Sequence, residues 1–137
     1  MRCAGGLACV SCALAAATFW ASAAQPADIL PKLTEQSAQL FAAVATSHTK
    51  TPEDLDPQDT MHDPSFFVFY GLNQSPAIGG FGFFAVNRWT GDVWTLWGCY
   101  KLSTLALRKL QAQLRRHLTH EELKQFPRLA RLKPECI

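Results

Sequence analysis

The stretch Phe81-Gly-Phe-Phe-Ala-Val-Asn-Arg-Trp-Thr-Gly-Asp-Val-Trp-Thr-Leu-Trp97 constrains the fold more than any other part of the chain. Two apolar, aromatic and β-branched runs flank Asn87-Arg88-Trp89-Thr90-Gly91-Asp92, a segment rich in turn formers. Gly91 has no Cβ to penalise a positive φ, so it can close a short loop with a bulge. The pattern predicts a β-hairpin. Asn87, Gly91 and Asp92 are the expected supports of its turn, and for Asp92 a side-chain hydrogen bond to the backbone is sufficient explanation. Arg88 and Trp89 lie at the tip, where a side chain can project beyond the sheet. Because Arg and Trp are frequent energetic anchors at protein interfaces, this pair is the candidate partner contact.

Upstream, Ile29, Leu30, Leu33, Leu40, Phe41 and Val44 recur at spacings close to one helical face, with Asp28 as a cap and Pro31 in the first turn. A helix packed on a sheet is the expected result, since the basic polar face of an interfacial helix is missing. Ser65-Phe-Phe-Val-Phe-Tyr70 predicts a strand whose apolar residues fall on both faces, so either both are covered or one is an interaction surface. Trp94 and Trp97, an odd number apart, belong to opposite faces of an ideal strand. Gly98-Cys99-Tyr100 is expected to leave the sheet. Ser103 or Thr104 can then cap a helix carrying Leu107, Leu110, Leu114 and Leu118 on one face. Thr119-His-Glu-Glu122 has the form of a capping box for a second short helix, which Pro127 should end.

The first 23 residues stand apart. Arg2, the apolar run Leu7–Trp20 and the small residues Ala21-Ser22-Ala23 have the form of a secretory signal peptide. The run is short for a membrane span, which needs about 20 apolar residues. Cleavage after Ala23 would leave residues 24–137 as a single domain, periplasmic or secreted and without a membrane span. It would also remove Cys3, Cys9 and Cys12, leaving Cys99 and Cys136 as the only pair. In an exported protein two such cysteines are expected to form a disulfide. Losing Arg2 lowers the formal charge from +2 to +1, so net charge implies no nucleic-acid partner.

From 47 to 64 the chain turns acidic and proline-rich, with Glu53, Asp54, Asp56, Asp59 and Asp63 among Pro52, Pro57 and Pro64. That composition predicts an exposed irregular connection. Its spacing lacks the order and glycine of a calcium loop, so no metal site is expected. No nucleophile-elbow sequence or phosphate loop occurs, and neither a catalytic residue nor a cofactor is expected. The C-terminal helical region is basic, which is compatible with an anionic envelope component or an acidic protein, although Lys and Arg commonly form the solvated face of a helix.

Val86-Asn-Arg-Trp-Thr-Gly-Asp-Val93 resembles a V-D-x-x-T-G-x-V phrase that forms a β-turn in PepSY-like domains and in NTF2-like immunity domains. The resemblance covers only the hairpin, with Asn87 in place of the more familiar aspartate. It implies an α+β scaffold and an inhibitory or immunity role, and it transfers no catalytic residue. The expected fold is therefore α+β: an N-terminal helix, an antiparallel sheet of at least three strands, a C-terminal helical lid and one disulfide. The expected function is that of an exported non-enzymatic binding protein, a periplasmic inhibitor or immunity protein against a hydrolase or toxin. The alternative is an envelope-associated enzyme or enzyme accessory, which a cleft with converging histidines and carboxylates would favour.

Overall fold

In chain order the elements are α1 (Glu35–Ala45), β1 (Leu55–Pro57), β2 (Phe66–Gly71), β3 (Gly82–Asn87), β4 (Val93–Thr95), β5 (Tyr100–Lys101), α2 (Leu105–Arg116) and α3 (His120–Leu129). The computed structural model describes residues 32–46, 54–59, 61, 63–72 and 82–137. The predicted leader at 1–23, Asp28 to Pro31, residues 47–53 of the acidic segment and the 73–81 connection lie outside the described residues. Among the described residues no helix is long and apolar enough to cross a membrane.

The strands form one antiparallel sheet in the order β1-β2-β3-β4-β5. β2 and β3 pair along their whole length, from Phe66 opposite Asn87 to Gly71 opposite Gly82. Their apolar side chains alternate between two separate clusters. Phe69, Phe84 and Val86 join Leu55, Val93, the α1 side chains and Leu107 on one face. Phe66, Val68, Ala85, Trp94 and Leu96 form the other cluster, against which Met61, Phe83 and Leu132 pack. Both faces of the predicted 65–70 strand are thus covered, one by helices and the other by chain that carries little regular structure.

The sheet is wider than the hairpin and strand alone predict. Part of the acidic segment, expected to be irregular, is the edge strand β1, with Leu55 buried and Asp56 exposed. A three-residue strand gives no periodicity, and Pro57 is tolerated because the strand is an edge. Gly98-Cys99-Tyr100 does not leave the sheet either. Cys99 adopts φ 51°, the chain reverses, and β5 pairs with β4 through Trp94–Lys101 and Thr95–Tyr100. Trp94 is buried in the second cluster, whereas Trp97 lies beyond the end of β4 and is exposed.

α1 begins later than the apolar pattern predicts. Thr34 is the N-cap, its Oγ1 accepting from Ser37 N at 3.3 Å while Ser37 Oγ accepts from Thr34 N at 2.9 Å. Leu33 is therefore buried ahead of the helix, and Leu40 is exposed. The core stripe is Ala38, Phe41, Ala42 and Ala45. Small side chains let α1 approach a sheet already filled with aromatic rings, a role invisible when leucines are weighted above alanines.

α2 and α3 follow the expected local chemistry. Thr104 Oγ1 accepts from Leu107 N at 3.1 Å. At the start of α3, Thr119 N donates to Glu122 Oε2 at 2.6 Å and Glu122 N donates to Thr119 Oγ1 at 3.3 Å, the predicted reciprocal cap. α3 does not stop at Pro127 but runs to Leu129. Proline has no N–H for the Leu123 carbonyl and its ring crowds that carbonyl, a cost borne by the last turn of α3. The tail then crosses the second sheet face. Leu132 packs there, Ile137 N donates to Leu96 O at 3.3 Å, and Cys136 is bonded to Cys99.

Two predictions follow from how the tail and α3 are held. The disulfide closes a loop with a sequence separation of 37, worth about 4 kcal/mol on the loop-entropy estimate. Urea unfolding of Cys136→Ser should show a loss of that order; a loss near zero would mean the tail is held by other contacts. The Glu122 carboxyl titrates below its ordinary range, first because Lys32 Nζ hydrogen-bonds to it at 2.8 Å and next because Thr119 N does. A depressed folded pKa stabilises the protein above the unfolded carboxylate pKa, and that stability is lost as pH falls through the folded value. Thermal midpoints between neutral and acid pH should therefore fall less steeply in Glu122→Gln than in the wild type.

Candidate functional site

The β3–β4 turn is fastened from both of its ends. Asn87 N donates to Asp92 O at 2.9 Å and Gly91 N donates to Asn87 O at 3.0 Å. Gly91 has φ 67°, and a Cβ there would run into the Phe41 ring, so this position needs glycine for both conformation and space. Asn87 is fully buried. Its Oδ1 accepts from Trp89 N at 3.0 Å and Thr90 N at 3.1 Å, and its Nδ2 donates to Leu129 O at 3.0 Å. Here the departure from the V-D-x-x-T-G-x-V phrase has a physical reason. An aspartate could accept from the two turn amides but has no N–H for the Leu129 carbonyl.

Asp92 works on the other side of the turn. Its Oδ2 accepts from Thr90 Oγ1 at 2.9 Å and pairs with Lys101 Nζ at 3.3 Å, while its Oδ1 accepts from Gln111 Nε2 at 3.1 Å. Gln111 Nε2 also reaches Gly91 O at 3.1 Å. The turn is thereby latched to β5 and α2. Sequence reasoning missed Gln111, which sits in α2 among leucines and arginines with nothing to mark it.

Arg88 and Trp89 point to different environments. Trp89 is only 4% exposed, so its indole has no open face to offer in this conformation and serves the packing of the tip. Arg88 is half-buried. Its backbone is tied on both sides: its N donates to Ser65 O at 3.1 Å, and its O accepts from Lys32 N at 3.1 Å and Leu33 N at 2.9 Å. The guanidinium lies over the Phe67 ring, 4.2 Å from the centroid, and its Nε is buried with no hydrogen-bond partner among the described residues. Phe67 also escaped the sequence reading, because one phenylalanine among several in an apolar strand carries no distinguishing mark.

Arg88 lines an open cavity of about 270 Å³ with Glu35, Asp59, Asp63, Met61 and Phe67. Asp63 Oδ1 accepts from Ser65 N at 2.8 Å. The described lining holds carboxylates and one guanidinium, a set suited to binding charged or hydrogen-bonding groups. His117 and His120 are exposed and line neither this cavity nor those of about 320 and 330 Å³ elsewhere. Among the described residues no group of three or more His, Cys, Asp or Glu could hold a metal ion. The predicted site thus divides into a turn held by Asn87, Gly91 and Asp92, a buried Trp89, and Arg88 at a cavity mouth.

No family model matches the chain, and no curated protein matches it. Among solved structures, the fold is similar to a chain in the structure of a type VI secretion system effector-immunity complex from Pseudomonas protegens. The TM-score is 0.51 and the identity 24%, over 77% of this chain and 94% of that one. The fold is therefore shared with a chain of that effector-immunity complex.

If Asn87 is the tie between turn and α3, its replacement should show in equilibrium unfolding. Asn87→Ala abandons three buried partners and should lose at least about 3 kcal/mol, since each unsatisfied buried group costs about 1–3 kcal/mol. Asn87→Asp should also be destabilised at neutral pH, by placing a carboxylate against the Leu129 carbonyl. A wild-type urea midpoint in Asn87→Asp would remove the Leu129 bond from the account.

Proposed function

We propose that this chain is an exported, non-enzymatic binding protein of the immunity or inhibitor type, which holds a toxic enzyme inactive by contact at the hairpin tip. The observation that carries this reading is Arg88. Its guanidinium is positioned over Phe67 at an open cavity with Nε buried and unpartnered, and its backbone is already fixed by three hydrogen bonds. A buried donor without a partner is costly, and a partner acceptor entering the cavity would supply what is missing. The shared fold with a chain of an effector-immunity complex supports the same reading, as does the hairpin phrase resembling PepSY-like and NTF2-like immunity modules. On this reading residues 1–23 act as an export signal and the encounter is periplasmic, a compartment compatible with the Cys99–Cys136 disulfide.

The test is co-expression of the exported chain with the products of the genes that flank its own. One flanking product should be toxic when exported alone and harmless, and co-purifying, with this chain. If no flanking product is toxic or bound, the immunity reading fails. With that partner in hand, Arg88→Ala should weaken binding by about tenfold or more while the thermal midpoint stays near wild type, as expected of an interface anchor. Trp89→Ala should instead lower the midpoint, since removing a buried aromatic side chain costs about 3–5 kcal/mol.

A further inference from the structure

A second groove, of about 330 Å³, is lined by the turn, β5, α2 and α3. Its floor is Thr90 and Asp92 of the turn with Gln111 of α2. Arg108 and Arg115, seven residues apart on α2, stand along it with Lys101 of β5. Phe126 of α3 forms an apolar wall, with the Arg115 guanidinium 4.6 Å from its ring centroid. The one carboxylate in the lining is ion-paired with Lys101, which leaves the two arginines as the unbalanced charges. Asp92 receives Lys101, Thr90 and Gln111, and the described ion pairs are Lys101–Asp92, Lys32–Glu122 and Lys124–Glu121. Arg108 and Arg115 take part in none of these, so the groove presents a net positive rim around a partly apolar slot.

We propose that this groove docks an acidic segment of the partner protein, with a Glu or Asp side chain received between Arg108 and Arg115 and its apolar stem against Phe126. The inference rests on the immunity reading only for the identity of that protein. Charge complementarity selects the sign of the occupant. The mixture of lining selects its class: an aromatic wall beside arginines is the composition of a protein interface core. A site for a phosphate polymer draws its affinity from a track of cations along the backbone, and here the cations flank a single slot.

A fluorescein-labelled oligo-glutamate peptide serves as the probe, read by anisotropy at about 0.15 M salt, where surface charges more than ~8 Å apart are largely screened. Arg108→Glu with Arg115→Glu should lower its affinity at least ~10-fold, in line with loss of an interface anchor pair. Lys109→Glu with Arg116→Glu makes the same change of charge on the same helix, outside the groove lining, and should cost no more than ~3-fold, the scale of an exposed charge. Because Arg115 also stacks on Phe126, Arg108→Glu alone is the second variant; it leaves that stack intact and should still weaken binding. Equal losses in the two double variants would overturn the groove in favour of diffuse positive charge. Binding of an oligothymidylate or of phosphatidylglycerol vesicles as tight as that of the peptide, with the same dependence on Arg108, would overturn the acidic-protein assignment. With a flanking-gene toxin, neutralisation by wild type and by Arg108→Glu/Arg115→Glu alike would sink the groove and leave the immunity reading standing. If wild type neutralises nothing, the immunity reading falls and the peptide assay still decides the groove.

Discussion

A sheet whose central strands are apolar on both faces has to be covered twice. α1 and α2 provide one cover, and helices are good at this because their own backbone bonds are internal. The second cover is an extended tail, which has no ladder of its own to fix it. Its two ends are therefore tied. Asn87 Nδ2 holds Leu129 O where α3 ends, and the Cys99–Cys136 bond with Ile137 N on Leu96 O holds the last residues. The contribution of about 4 kcal/mol from closing that loop is large beside the 5–15 kcal/mol by which whole domains are stable. Without it the aromatic second face would open to water first.

The same economy concentrates at the β3–β4 turn. Asn87 bonds to a carbonyl in α3, Asp92 to a side chain of α2, and the Arg88 carbonyl to the chain entering α1. Three helices are thus registered against one turn by polar bonds, while the apolar clusters supply most of the driving force without specifying angles. For the proposed contact this matters, because a tip fixed in this way would lose little further freedom on binding, and low ordering cost favours affinity. Packing Trp89 inward adds to that rigidity, and Arg88 Nε at the turn is buried without a partner among the described residues.

What the sequence made legible was local or forced by elimination. The Thr119–Glu122 cap is a three-residue relation written in adjacent letters, and the hairpin is announced by Gly91 between two β-forming runs. Cys99 and Cys136 pair with each other, the outcome expected once Cys3, Cys9 and Cys12 are assigned to a predicted leader. The failures were elements too short to show a period, β1 and β5, and a helix stripe built from alanine. At the site, the residues that give the turn its meaning lie far along the chain. Gln111 is 20 residues from Gly91 and Leu129 is 42 from Asn87, and no spacing rule reaches across such distances.

Charge completes the physical account of the tip. Arg88 stands among Glu35, Asp59 and Asp63, while Thr90 and Asp92, only two and four residues on, floor a slot bordered by Lys101, Arg108 and Arg115. An unpaired Asp92 would offset the arginines and weaken the contrast. Its bonds to Thr90, Lys101 and Gln111 absorb that charge into the fold. The turn therefore separates two cavities of opposite character, and a surface that matches one of them by charge repels the other. On the proposed binding reading, a partner would have to carry both signs in the right order to gain from both, which is selectivity by charge rather than by apolar area.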